Sequence, residues 1–252
     1  MNPLAELRYF FTALGYFTRV PVPRWVGFDP AWLNRAARYF PLVGALVGAL
    51  AACVYLAALR IFPTGVAVLL SMAVTLLATG AFHEDGLADC FDAFGGGYRR
   101  EDVLRIMHDS RIGAFGAIGL VVALALKWQV LAALPPMRAA MLMIAGHAAS
   151  RACAISYLVS LDYVRAEGKA KPVAQRMSVA ALLCAFVFGL PWLFWPEWRA
   201  GIATLAVLVV LRHALGRYFV RRIGGYTGDC LGFSQQIFEL AIYLVGLAWI
   251  SF

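Results

Sequence analysis

Charge is scarce in this chain, and acidic charge is scarcest. Only 14% of its 252 residues are charged, 22 basic against 14 acidic, where a soluble domain is about a quarter charged. Hydrophobic residues make up 62% and the mean hydropathy is +0.76. That balance excludes an ordinary soluble domain and identifies a membrane protein. Paired cysteines are lacking too: Cys53, Cys90, Cys153, Cys184 and Cys230 are odd in number and form no C-x-x-C, which argues against a disulfide framework and a zinc knuckle and leaves them as packing residues. No secretory leader is expected, because the opening "MNPLAELRYFFTALGYFTRV" carries Glu6 and Arg8 among aromatics. The net charge of +8 comes without basic patches interleaved with aromatics, so nucleic acid is not expected as a partner. No repeat, low-complexity tract or composition shift divides the chain, and one integral membrane domain is expected over 1–252.

Long apolar runs are what the chain does have. Stretches of about 20 residues, the length a bilayer core requires, fall near 37–60, 63–82, 114–134, 137–160, 177–196, 198–215 and 235–252. They predict an all-α, polytopic membrane helical bundle of about seven transmembrane helices. The stretch from Leu4 to Val20, interrupted by Glu6, Arg8 and Arg19 and halted by "PVPRW", reads as an N-terminal interfacial helix. Lys and Arg divide unevenly between the connections. Five lie in the N-terminal segment and four in each of the 83–113, 161–176 and 212–234 loops; the alternate connections hold only Arg60, Lys127, Arg138 and Arg199. The positive-inside rule then places the N-terminus and the three polar loops in the cytoplasm.

Four of the acids stand together in "HEDGLADCFDAFGGG", residues 83–97. On a helix Asp85, Asp89 and Asp92 fall at i, i+4 and i+7, within a stripe roughly 60° wide, with Leu87, Phe91 and Phe94 opposite. Three crowded carboxylates repel unless a cation sits among them or some are protonated. Acids on a loop helix are ordinarily a solvated face; three on one stripe, beside Glu84 and before Gly95-Gly96-Gly97, read as functional. Hard oxygen donors favour magnesium, manganese or calcium over zinc. His83-Glu84 does not open an H-E-x-x-H helix, because Leu87 stands at the second histidine position. Nor does the spacing fit an EF-hand loop. Mg²⁺ holding a substrate phosphate fits best, with Asp85, Asp89 and Asp92 as metal ligands and Glu84 as a base or outer partner.

Complementary charge lies in the neighbouring segments. "MHDSRIGAFGAIGL" sets Asp109 and Arg111 directly before an apolar run with Gly113, Gly116 and Gly119, whose spacing permits close helix approach. In "GRYFVRRIGGYTGDCLGFSQQIFE", Arg217, Arg221 and Arg222 precede a glycine-rich turn and Asp229, an arrangement suited to phosphate and metal contacts, although arginines before a span also satisfy positive-inside. Arg151, in "GHAASRACAI", stands deep in an apolar run where charge is costly and usually paired or functional. It is expected to point inward, toward the acidic cluster or the phosphates bound there. His147, one turn earlier, reads as a satisfied core histidine. Arg111, Arg151, Arg217 and Arg222, with Asp109 and Asp229, are the candidate phosphate and substrate contacts.

These blocks resemble the cobalamin synthase family, the adenosylcobinamide-GDP ribazoletransferases. The resemblance runs through "YFTRVPVP" at 16–23, "YFPLVGALVG" at 39–48, "HEDGLADCFDAFGGG" at 83–97, "IMHDSRIGAFG" at 106–116 and "GGYTGDCLGFSQQ" at 224–236. The family more often has Thr where Cys90 stands and Gly where Ala93 stands, and neither replacement removes a candidate ligand. The resemblance implies a transferase of the bacterial cytoplasmic (inner) membrane. It would attack adenosylcobinamide-GDP with the ribose hydroxyl of α-ribazole or its 5′-phosphate and release GMP, with Mg²⁺ required. Self-association stays open, a homo-oligomer being one arrangement. Two other readings fit less well. A CDP-alcohol phosphotransferase would carry Ala-Arg after D-G-x-x, whereas Ala88 comes one position too soon and Cys90 follows Asp89. A cation-coupled transporter would place its acids at mid-membrane, where only Glu239 approaches a span interior.

Overall fold

The computed structural model describes residues 2–165, 176–195 and 197–251. Their regular structure is helical; one isolated bridge, Tyr163 with Tyr226, joins two loops. Helix α1 (Pro3–Phe17) starts where the Asn2 side chain accepts the Leu4 amide at 3.1 Å, with Pro3 in its first turn. It ends before Pro21 and Pro23, which cannot continue it. The short α2 (Trp32–Ala36) runs through a 3₁₀ turn into α3 (Phe40–Ala58), together one apolar helix of 27 residues.

Helix α3 lies directly on α8 (Pro136–Ile155), which passes almost straight into the single turn α9 (Tyr157–Ser160). A Cβ at Gly44 would stand 2.2 Å from the His147 carbonyl oxygen, and one at Gly48 2.6 Å from the Ile144 Cα. Only glycine permits that approach. After α4 (Thr64–Thr79) both Gly80 (φ +66) and Ala81 (φ +56) adopt left-handed backbone, and α5 (Phe82–Gly96) leaves at 90°. The left-handed alanine is a local cost of roughly 1–2 kcal/mol. The Arg19 guanidinium lies over the bend, its Nε 2.9 Å from where a Gly80 Cβ would be, while the Arg19 amide donates to the Ala78 carbonyl at 2.8 Å. The chain continues through α6 (Arg100–Ile106), α7 (Ala114–Ala133), α10 (Val179–Gly189), α11 (Trp198–Ile223) and α12 (Gly228–Ser251). Helix α5 packs chiefly on α12 and α7, so the acidic segment is part of the bundle's interior architecture.

Among the described residues, five helices are long and apolar enough to cross a membrane: Trp32–Ala58, Ala114–Ala133, Pro136–Ser160, Trp198–Ile223 and Gly228–Ile250. The bent pair α4 and α5 makes a sixth if counted as one crossing. The expected count of seven is not confirmed. The run predicted at 177–196 stops being an α-helix at Gly189, Pro191 opening a 3₁₀ turn instead. The 16 residues of α4 extend only about 24 Å, short of a hydrocarbon core of about 30 Å. Two predicted loops are largely helix. The 83–113 loop contains α5 and α6, and the 212–234 loop shrinks to the turn 224–227, where Gly224 (φ +82) ends α11 and α12 starts at Gly228 rather than near 235. Lys127, counted with a connection, lies inside α7 and is buried. Lys169 and Lys171 of the charge count lie outside the described residues.

Candidate active site

The acidic helix meets the start of α12 where two glycines face each other. A Cβ at Gly86 would stand 3.0 Å from the Asp229 carbonyl oxygen and 3.4 Å from the Gly232 Cα; one at Gly232 would reach the His83 carbonyl oxygen at 3.3 Å. The two backbones thus touch at Gly86 and Gly232. Around this crossing stand Asp85 (exposed) and Asp89 (half-buried) from α5, and Asp229 from the first turn of α12. Asp89 carries the repulsive field of Asp229 and Asp85, and more weakly of Asp92, with Arg165 in opposition. Arg165 pairs with Asp229 at 2.9 Å and also donates to the Met107 carbonyl at 2.9 Å, so one guanidinium fixes the acid against the end of α6. Thr227 accepts the Cys230 amide at 3.2 Å, which caps α12 beside Asp229.

Asp92 serves differently. Its two oxygens accept the amides of Gly113 (2.7 Å) and Gly116 (2.8 Å) at the start of α7. A Cβ at either glycine would come within 2.4 Å of that carboxylate. The expected ligand stripe of Asp85, Asp89 and Asp92 therefore parts at its last member. Among the described residues, no three His, Cys, Asp or Glu side chains group closely enough to suggest a metal centre on their own.

The other predicted contacts separate as well. Asp109 and Arg111 form an exposed two-toothed pair with each other, Arg111 Nη2 lying 2.6 Å from Asp109 Oδ2; the adjoining guanidinium holds the Asp109 pKa down to about 2. Arg222 donates to the Gly97 and Phe94 carbonyls and lies over the Phe94 and Tyr218 rings, closing the C-terminal end of α5. Arg217 is exposed on α11, away from these bonds. Arg151, 2% exposed, does point inward, yet it reaches no carboxylate of the acidic cluster. It donates to the His147 carbonyl at 2.7 Å, stacks 5.9 Å from the Phe17 ring, and its buried Nε has no partner.

Behind the crossing runs a buried polar chain that the sequence reading missed. Glu84 accepts from Gln236 at 3.0 Å, Gln236 donates to Gln235 at 2.9 Å, and Gln235 donates to Glu239 at 2.6 Å and to Ser150 at 2.9 Å. Glu239 also accepts from Lys127 and from the Tyr243 hydroxyl (3.0 Å), and lies 3.5 Å from His147 Nδ1. His147 Nδ1 also lies 3.3 Å from Arg151 Nη1, so the imidazole is buried among polar partners, as expected. The remaining oxygen of Glu84 is buried without a partner. Arg151 and Gln235 border a small cavity of about 40 Å³, walled by Tyr16, Phe17, Phe40 and Phe82 and reaching Gly228 and Gly232 at the crossing. Gln235 and Gln236 had been visible as adjacent amides in an otherwise apolar run, the one signal available. Nothing in the local sequence marked Arg165.

The chain was compared with known proteins. The family model described as cobalamin-5-phosphate synthase matches residues 9–247. An adenosylcobinamide-GDP ribazoletransferase of Ralstonia pickettii (strain 12J) is 62% identical over 255 residues, covering all of both chains. That of Ralstonia nicotianae is 60% identical, over 97% of this chain and 96% of the relative. That of Shewanella frigidimarina is 47% identical, again over 97% and 96%. No solved structure matches. With a family match across nearly its whole length and full-length relatives of this identity, the chain belongs to the cobalamin-5-phosphate synthase family.

Proposed function

We propose that the protein is an adenosylcobinamide-GDP ribazoletransferase working at the cytoplasmic face of a bacterial inner membrane. The ribose hydroxyl of α-ribazole, or of its 5′-phosphate, attacks the cobinamide-bearing phosphorus of the pyrophosphate. The new P–O bond replaces the bond to GMP, which leaves as the phosphate monoester, and the hydroxyl proton passes to solvent or to a nearby carboxylate. The observation that carries the reading is the crossing at Gly86 and Gly232, which sets the acids of α5 beside Asp229 at the start of α12.

Mg²⁺ takes one or two carboxylates together with phosphate oxygens, and the mutually repelling Asp85, Asp89 and Asp229 suit that donor set. Asp92, occupied by two amides, suits it less. Bound there, Mg²⁺ would neutralise charge on the pyrophosphate. The chain's own residues do the rest. Arg165 holds Asp229 in place, and Arg151, with an unpartnered Nε beside the cavity, offers a donor to a phosphate or ribose group entering from the crossing. The hydroxyl loses its proton late in a loose transition state, so positioning outweighs deprotonation. Glu84, bound to Gln236 inside the bundle, acts by holding α5 rather than as the base.

Purified protein in detergent, given adenosylcobinamide-GDP, α-ribazole and magnesium, should release GMP only when all three are present. GMP release without α-ribazole, or none with it, would overturn the assignment. Arg151→Lys keeps the charge and loses the planar fork, so it should lower turnover more than it lowers melting temperature; full turnover in Arg151→Met would remove the residue from the mechanism.

A further inference from the structure

Helices α10 and α11 do not close on each other. Between them and the end of α8 lies a groove of about 310 Å³, walled by Leu182, Phe186 and Leu190 on one side and Leu205 and Leu208 on the other. Its α11 wall includes the exposed Val209, and α10 carries the exposed apolar side chains Leu183 and Val187 next to the lining Leu182 and Phe186. In a membrane protein such a surface meets hydrocarbon, not water. One end of the groove is polar, formed by Ser156, Ser160, Arg212 and His213. From Leu205 to Arg212 the wall extends about 10 Å along α11.

Arg212 gives this groove its character. Its Nε donates to Ser156 Oγ at 3.0 Å, its Nη2 to the Ser156 carbonyl at 3.3 Å and to Ser160 Oγ, and the guanidinium lies 5.1 Å from the Tyr157 ring centre. Every one of those partners is uncharged. Among the described residues no carboxylate pairs with Arg212, although it sits within an apolar helix where an uncompensated charge is costly. The guanidinium is thus fixed in direction by uncharged partners, which leaves its charge available to an anion in the groove.

We infer that the groove between α10 and α11 is a binding site for one anionic phospholipid, an acyl chain lying along Leu205, Leu208 and Phe186 and the headgroup phosphate meeting Arg212 and His213. The apolar walls select a chain, the lateral opening selects a molecule that arrives through the bilayer, and the cationic end selects its negative headgroup. The site is separate from the acidic crossing and does not depend on the reaction assigned to it.

Native mass spectrometry of the purified full chain, after exchange from mixed phosphatidylglycerol and phosphatidylcholine micelles, tests this directly. Wild type should retain one lipid per chain with about a fivefold preference for phosphatidylglycerol, the factor that about 1 kcal/mol per basic residue gives. Arg212→Gln should lose the preference, and Arg212→Lys should keep it. Leu205→Trp, which fills the groove, should lose retained lipid of either kind. If Arg212→Gln fails to fold, His213→Gln and Leu205→Trp carry the test. Lipid retained by Leu205→Trp at the wild-type level would overturn the site, as would equal retention of both lipids by wild type. Displacement of phosphatidylglycerol by millimolar inorganic phosphate would also overturn it, because the site would then be one for soluble anions.

Discussion

Asp92 accepts the Gly116 amide at 2.8 Å across 24 residues of sequence, and with its second oxygen it takes the Gly113 amide at 2.7 Å. A carboxylate on one helix therefore caps the first turn of another, at the positive end of the α7 dipole. Three acids on a single stripe are divided by use. Asp92 ties the scaffold together, while Asp85 and Asp89 border the crossing with Asp229.

That division separates stability from turnover. Asp92→Asn replaces one acceptor with a donor facing an amide, and losing a charge-assisted bond of this kind costs about 1.5–3 kcal/mol. The variant should melt measurably lower in detergent. Gly116→Ala should do the same, since its Cβ would fall 2.2 Å from Asp92 Oδ2 and 2.8 Å from the Ala88 carbonyl oxygen. A melting curve of Asp92→Asn equal to wild type would deny the cap its role.

At the crossing the opposite pattern is expected. Asp85→Asn, Asp89→Asn and Asp229→Asn should each reduce GMP release by about a hundredfold or more, with little loss of folded protein for the first two. Added Mg²⁺ should raise the melting temperature of wild type more than that of Asp89→Asn, because only a state that binds the ion gains from it. Equal magnesium stabilisation in the variants would show that the ion does not bind there.

Inside the bundle, Lys127 is 5% exposed and Glu239 fully buried, and each is the other's counter-charge. Lys127→Met leaves Glu239 uncompensated and should cost about 3–5 kcal/mol. The double variant Lys127→Met with Glu239→Gln removes both charges and should recover much of the loss. Unfolding titrations in mixed detergent would measure both. A double variant no more stable than the single would mean that packing, not charge pairing, governs this site.

Orientation is open to a direct check. Reporter fusions near residues 100 and 225, at the starts of α6 and α12, should give a cytoplasmic signal, as the clustering of Arg99, Arg100, Arg221 and Arg222 requires. A signal from the opposite side at either point would separate the two loops that the crossing joins. The third polar loop, near 168, lies outside the described residues.

The helix under Asp85, Asp89 and Asp92 was legible because spacing along one segment reports a face. What the face meets was not, since Gly113, Gly116 and Gly232 come from other segments and a glycine announces no partner. Lys127 was read as a flank for a similar reason: hydropathy registers the charge but not Glu239, 112 residues away. The early start of α12 was hidden because Gly228 to Gln236 is polar by composition and helical by its backbone bonds. Two predicted runs differ for local reasons: Gly80 and Ala81 end α4 after 16 residues, and Gly189 and Pro191 break the run at 177–196 without making it less apolar.

The right angle at Gly80 and Ala81 sets which way the acidic helix runs. Because α5 runs at 90° to α4, its acids succeed one another across the axis of α4 and not along it, with Asp85 exposed and Asp89 half-buried. Straightening that bend would carry Asp85 and Asp89 away from Asp229, so the backbone at two small residues holds together acids from distant parts of the chain.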